Sequence, residues 1–180
     1  ATLGADAFNA GVKAGMWGLI LIAIFLIVWY RLPGLIAVVA LGMYVALMLG
    51  IFKVLPVTIT AASIAGFILS IGMAVDANIL IFERMKEELR GGRTLNDAIR
   101  EGFSRAWPSI RDGNLSSIIT AVILFWFGTS LVEGFALTLL IGILLSMFSA
   151  ITITRTFLLA VAPSDSNGVM RKLFGSGLEK

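Results

Sequence analysis

Five stretches of this chain carry no charged residue: 14–30, 32–52, 54–75, 113–132 and 134–154. A bilayer core about 30 Å thick takes roughly 20 apolar residues in a helix rising 1.5 Å per residue, and these windows run from 17 to 22 residues. The third continues past Asp76 to Phe82, so that AASIAGFILSIGMAVDANILIF reads as one apolar helix with a single acid in it. The predicted fold class is therefore all-α: a polytopic membrane helix bundle with five transmembrane helices. Composition closes the soluble alternative. Apolar residues make up 58% of the chain and charged ones 14%, against about 45–50% and roughly 25% in soluble domains. Such a chain lacks the polar groups to cover its own apolar surface, and the lipid bilayer is its expected solvent.

Lysine and arginine set the expected orientation. With the amino terminus outside, the outer segments hold only Lys13 and Lys53. The inner segments hold Arg31, seven basic residues from Arg84 to Arg111, Arg171, Lys172 and Lys180, and Arg155 falls inside the last span. The organisation predicted is an outer lead-in over 1–13, three spans over 14–82, a cytoplasmic loop over 83–112, two spans over 113–162 and a cytoplasmic tail over 163–180. That tail ends in a linker-like Gly-Ser-Gly run. An odd number of spans with an outside start implies a preceding element that delivers this end across the membrane. Leu32-Pro33-Gly34 reads as a tight inner turn, and Pro56 as a break between the second and third spans. The loop bias explains the net charge of +3 without any nucleic-acid partner.

The segment 83–112 concentrates 13 of the 25 charges, seven basic and six acidic. Gly91-Gly92 punctuates it, and Thr94 followed by Asp97 resembles a helix-capping box. Leu95, Ala98, Ile99, Phe103, Ala106 and Trp107 then recur at helical spacing. Residues 94–107 are read as a short amphipathic helix, lying on the cytoplasmic membrane surface or packed beneath its own bundle. The mixed signs of charge argue against a dedicated anionic-lipid anchor.

Several chemistries are excluded. The chain has no cysteine and no histidine, which removes disulfides, thiol nucleophiles, thiolate metal sites and any Ser-His pair. No phosphate-binding or dinucleotide-binding glycine motif is present, since Gly128-Thr129-Ser130 reads as a turn. No metal or cofactor is expected, and the chain is not read as an enzyme. Any work it does must draw on an ion gradient or a partner.

Asp76 is the residue around which such work is organised. It lies seven residues before Glu83, about 10 Å inside the end of its helix. An ionised acid in the apolar zone costs about 2.5–3.5 kcal/mol on insertion scales. Desolvation favours the neutral carboxyl group, so an acid there can load and release a proton. The bland alternative is an acid held by one fixed neighbour. Ala65, Gly72 and Asp76 share one helix face, where another helix can approach closely. Ala62, Gly66, Ser70 and Ala74 form a second row of small residues four apart, the pattern of tight packing in lipid. Asn78 offers donors and acceptors beside the acid. Arg155, at comparable depth in the last span, is the counter-charge to test, with snorkelling to the interface as its simpler role. Arg111 and Asp112 form a second charged pair, and Glu133 sits in a short outer turn.

The run Gly72-Met73-Ala74-Val75-Asp76-Ala77-Asn78-Ile79-Leu80-Ile81, followed by Glu83-Arg84-Met85-Lys86-Glu87-Glu88, closely resembles the signature of the SecD family. Gly92-Arg93-Thr94, Ala98-Ile99, Glu101-Gly102-Phe103, Asp112-Gly113-Asn114, Gly134-Phe135-Ala136 and Thr154-Arg155 extend the likeness, which runs from Thr2 to about Val161. The resemblance implies a fold related to the resistance-nodulation-division transporters, with SecD and SecF halves packed in pseudo-symmetry in the bacterial inner membrane beside the SecYEG channel. It implies that proton flow through the membrane part drives a large periplasmic domain that pulls or holds the emerging preprotein. The family's proton-coupling aspartate falls on Asp76, with Asn78 shaping its site and Arg155 as an electrostatic partner. A SecD half has six spans with the periplasmic domain between the first two; this sequence matches the half without that first span and domain. Two rival functions remain open on sequence: a proton-coupled small-molecule exporter of the same superfamily, and a non-catalytic scaffold of the translocon.

Overall fold

The computed structural model describes residues 2–55, 58–162 and 173–174, with side chains from residue 6 onward. Pro56, Arg171, Lys172, Lys180 and the linker-like end lie outside the described residues. Helix α1 runs Thr2–Val54, α2 Ala61–Arg90, α3 Leu95–Phe127 and α4 Ser130–Phe148; a stretch of π-helix, Ser149–Thr154, leads into α5, Arg155–Val161. Among the described residues there is no strand. Four helices are long and apolar enough to cross a membrane: Asp6–Val54, Ala61–Arg90, Leu95–Phe127 and Ser130–Val161.

Four continuous helices meet this measure where five were expected, because α1 joins the first two predicted spans across a kink. A straight helix of 53 residues would reach about 80 Å, far beyond one bilayer core. Arg31 breaks it, with φ 50° and ψ −116°, and the chain turns back along itself. A Cβ placed on Gly34 would collide with the Leu26 carbonyl. Leu19 and Ala23 of the first half share a cavity with Val38, Leu41 and Val45 of the second. The first two charge-free windows are therefore the arms of one antiparallel hairpin, joined with almost no loop. Pro33 opens the returning arm, where its fixed φ suits a first helical turn and its missing N–H goes unneeded. The reversal comes one residue before the turn that Leu32-Pro33-Gly34 predicted.

Helix α2 begins at a reciprocal cap: the Thr60 hydroxyl accepts from the Ser63 N–H at 3.2 Å, and Ser63 Oγ accepts from the Thr60 N–H at 2.6 Å. It runs past Phe82 to Arg90 and stops at Gly91-Gly92, where Gly92 takes a φ of +87°. Helix α3 then starts on Thr94, whose hydroxyl accepts from the Asp97 N–H at 3.2 Å, as the sequence predicts. It does not end at 107. It passes Pro108, which supplies no N–H to the helix, and continues to Phe127.

Residues 83–112 are accordingly two helix ends meeting at a two-glycine turn, not a loop around an isolated surface helix. The packed-beneath alternative describes 94–107: Leu95, Ala98, Ile99, Phe103 and Ala106 are all buried. A Cβ on Gly102 would lie 2.8 Å from the Met85 nitrogen, so glycine lets α3 seat directly on α2. The mixed charges pair across this hairpin. Arg93 meets Glu88 at 2.7 Å and Glu101 at 3.8 Å, while Arg105 meets Glu87 at 3.3 Å and also Glu88.

The bundle closes around α2. A Cβ on Gly66 would lie 2.5 Å from the Phe135 carbonyl oxygen, and one on Gly142 would collide with Ser70. Between these contacts the Thr138 hydroxyl reaches the Ser63 carbonyl at 3.0 Å, and Tyr44 and Ser70 share a hydroxyl hydrogen bond of 2.6 Å. Close approach through small residues plus interhelical hydrogen bonds is how helices associate in lipid. Trp17, Leu21, Val28, Trp126 and Phe127 point outward and are exposed, a liability in water but ordinary in lipid. Trp107 and Trp126 stand 19 residues apart on α3, about 28 Å, close to the spacing of the two aromatic belts that flank a bilayer core.

Candidate functional site

Asp76 sits midway between the ends of the Ala61–Arg90 helix, 15 residues from its start, or about 22 Å. Its carboxylate is exposed and lines a cavity of about 180 Å³ between α2 and α3. Met73, Ala77 and Leu80 form the α2 wall, and Ser109, Ile110, Gly113 and Asn114 the α3 wall. No hydrogen bond or ion pair reaches Asp76 among the described residues. The alternative of an acid clamped by one fixed neighbour therefore has no candidate within them.

Asn78 faces inward instead. It is 4% exposed, its amide donates to the Ala74 carbonyl at 3.0 Å, and its Oδ1 has no partner. Thr154 Oγ1 is the other buried side-chain atom left unpaired among the described residues. Buried acceptors without partners are rare because the lost hydration is costly. Each is a place where a water molecule or a displaced proton donor would gain a hydrogen bond.

Arg155 does not meet Asp76. Its guanidinium lies over the Phe103 ring, 5.8 Å from the centroid, in a different cavity lined by Arg100, Ser104 and Trp107. Helix α3 measures the offset. Asp76 stands beside residues 109–114, whereas Arg155 stands beside residues 100–110, closer to the charged end of the bundle. The expected ion pair is absent here because the two side chains occupy different levels and only Ile110 borders both cavities. Arg111 and Asp112 pair with each other at 2.9 Å and stay exposed, and no ion pair is formed by Glu133 among the described residues.

The two small-residue rows of α2 have opposite fates. Gly66, Ser70 and Ala74 are buried and Ala62 is half-buried; Gly66 and Ser70 lie against α4, and Ser70 also meets Tyr44 of α1. Ala65, Gly72 and Asp76 are exposed, and nothing lies within 4 Å of where a Gly72 Cβ would be. Asn114 is the residue that single-sequence reasoning placed only within a matching run and not at the site. It is buried, its amide donates to the Ile110 carbonyl at 2.8 Å, and it shares the cavity of Asp76. A polar amide at the second position of an apolar window is the signal that could have marked it.

These features define a polytopic helical membrane protein with an intramembrane acid exposed in a cavity between two helices. The chain belongs to the SecD/SecF family: residues 1–163 match the family described as protein export membrane protein SecD/SecF, C-terminal. It is 56% identical over 165 residues to the protein translocase subunit SecD of Thermobaculum terrenum, covering 89% of this chain and 32% of that protein. With the SecD of Synechocystis it shares 52% identity over 164 residues, 91% of this chain and 35% of the other. A crystal structure of SecDF, a translocon-associated membrane protein from Thermus thermophilus, superimposes with a TM-score of 0.85 at 35% identity, over 96% of this chain and 23% of that one. A crystal structure of SecDF in its super-membrane-facing form gives 0.83 at 40% identity, over 89% and 22%. The chain thus spans about a third of the length of these curated relatives.

Proposed function

We propose that this chain is the membrane-embedded part of a SecD half, which together with SecF uses the proton motive force to promote preprotein translocation through SecYEG in the bacterial inner membrane. Asp76 is the proton carrier. The observation that supports this role is its position: an acid about 22 Å into a membrane helix, with no hydrogen-bond or ion-pair partner among the described residues, in a cavity shared with Asn114 of α3 and on the same exposed face as Gly72, where an added Cβ would meet nothing. The SecF half covers that face, and it supplies the group that faces the ionised carboxylate. Asn78 shapes the site from the inner side of α2, where its free Oδ1 accepts from water. The charged α2–α3 turn and the carboxyl terminus face the cytoplasm.

The mechanism follows from charge. Ionised, Asp76 cannot remain against an apolar neighbour and draws a polar or cationic partner towards it; protonated, it releases that partner and lets helices close. One acid can bias a conformational equilibrium only through such a difference between two states. A proton crossing 100 mV supplies about 2.3 kcal/mol, enough to shift the balance by roughly fifty-fold per proton. The preprotein itself is held by the periplasmic domain, outside this chain.

The test compares wild type and Asp76→Asn in the full-length protein with SecF. Preprotein translocation is measured with and without a proton gradient, and complex assembly is checked alongside. Loss of only the gradient-dependent stimulation, with assembly intact, is the expected result. Full retention of that stimulation removes Asp76 from the mechanism, and loss of assembly returns it to a scaffold role.

A further inference from the structure

The cavity that holds Arg155 is separate from that of Asp76, and its chemistry is specific. It encloses about 350 Å³ between α2, α3 and the π–α5 segment. Two guanidiniums, from Arg100 and Arg155, line it together with the Ser104 hydroxyl and the Trp107 indole. Ile81, Ile110 and Ile151 close its deeper side.

What separates these two arginines from their neighbours is the absence of an acid. Arg84, Lys86, Arg93, Arg105 and Arg111 each meet a carboxylate. Arg100 and Arg155 meet none among the described residues, and both open into the same cavity. Arg155 is half-buried and Arg100 exposed; two like charges lining one cavity repel, so the cavity attracts an anion that can offset both. Guanidinium groups match phosphate oxygens in geometry as well as charge.

Position selects the source of that anion. Trp107 lies about 28 Å along α3 from Trp126, which places it at a membrane interface. Arg100, two turns beyond it, reaches into the headgroup layer, and the isoleucines lie on the hydrocarbon side. Basic pockets between membrane helices at this level suit acidic phospholipid heads. We propose that the Arg100–Arg155 cavity binds the phosphodiester headgroup of an anionic phospholipid, with an acyl chain running along Ile81, Ile110 and Ile151. Overall charge did not foretell this, because the acids of 83–112 neutralise the other cations and leave this pair uncompensated.

The experiment uses the full-length protein with Trp107 as its single tryptophan in that region (Trp17, Trp29 and Trp126 changed to Phe), reconstituted in phosphatidylcholine vesicles. Quenching of Trp107 is titrated with brominated phosphatidylglycerol and with brominated phosphatidylcholine. Phosphatidylglycerol is expected to quench at a lower mole fraction, and Arg100→Gln and Arg155→Gln each to weaken that preference about five-fold, as expected for one cation near an anionic surface. Arg100→Lys with Arg155→Lys is expected to keep most of the preference and to confirm that folding is intact. Equal quenching by both lipids in the parent, or an unchanged preference in the double Gln variant, overturns the proposal. Two further outcomes also overturn it. Relief of quenching by millimolar inorganic phosphate would make the occupant a soluble anion, and relief on adding SecF would make it a protein carboxylate.

Discussion

The two faces of α2 are built from nearly the same residues and do opposite things. In the row Ala62, Gly66, Ser70 and Ala74, Ser70 meets Tyr44 of α1 and Gly66 sits so close to α4 that a single added methyl there would press on the Phe135 carbonyl. Ala65, Gly72 and Asp76 are exposed, Gly72 has open space where a Cβ would sit, and Asp76 borders a cavity whose other wall is α3. Small residues four apart announce that a helix will be approached closely; they do not say by whom. One face finds its partner inside this chain. The other stays exposed among the described residues; it is the one that carries the acid, and the proposed function assigns it to SecF.

Substitutions that add bulk to one face at a time put this contrast to the test. The largest effect is expected from Gly66→Leu. Its side chain has no room beside Phe135 and Thr138, and overpacking of this kind costs about 3 kcal/mol or more; thermal unfolding in detergent should show a marked drop, and an unchanged midpoint would mean that the α2–α4 contact is looser than described. Gly142→Val probes the same seam from the other helix, with a loss of about 2 kcal/mol expected through collision with Ser70. Tyr44→Phe removes the 2.6 Å bond to Ser70 while Ser70 keeps the Phe67 carbonyl at 2.7 Å. A loss of about 1 kcal/mol is expected, and a double-mutant cycle with Ser70→Ala would isolate it. The smallest change in stability is expected from Gly72→Leu, within about 0.5 kcal/mol of wild type. Its effect should instead appear in co-purification with SecF, which it weakens; if SecF binds equally well, the open face is not the seam between the halves.

Much of this architecture was legible in the residues. The charge-free windows coincide with membrane-length helix, Thr94 caps α3, and the small-residue row marks the α2–α4 seam. What escaped had physical causes. Leu32-Pro33-Gly34 marked the reversal between the first two windows, but nothing in Arg31 announced that the break would fall on it with almost no loop. The 13 charges of 83–112 resembled a solvated loop because single residues do not reveal that Arg93 and Arg105 find Glu87 and Glu88 across a turn. The Asp76–Arg155 pair, the alternative to a snorkelling Arg155, is not formed here for a related reason. Depth can be counted at 1.5 Å per residue along one helix, but the levels of two helices are related only through their packing.

The π-helix at Ser149–Thr154 adds a consequence of its own. A π turn holds one residue more than an α turn, so everything after it is rotated by about 100°, the angle of one helical residue. A helical wheel drawn from α4 through to Val161 would therefore be out of phase by a quarter-turn or more beyond Ser149. Without that insertion Arg155 would face another side of the bundle and Phe103 would lose its cation. In this sense the last membrane helix behaves as two wheels on one axle: the first is keyed to α2, the second to the charged end of the bundle.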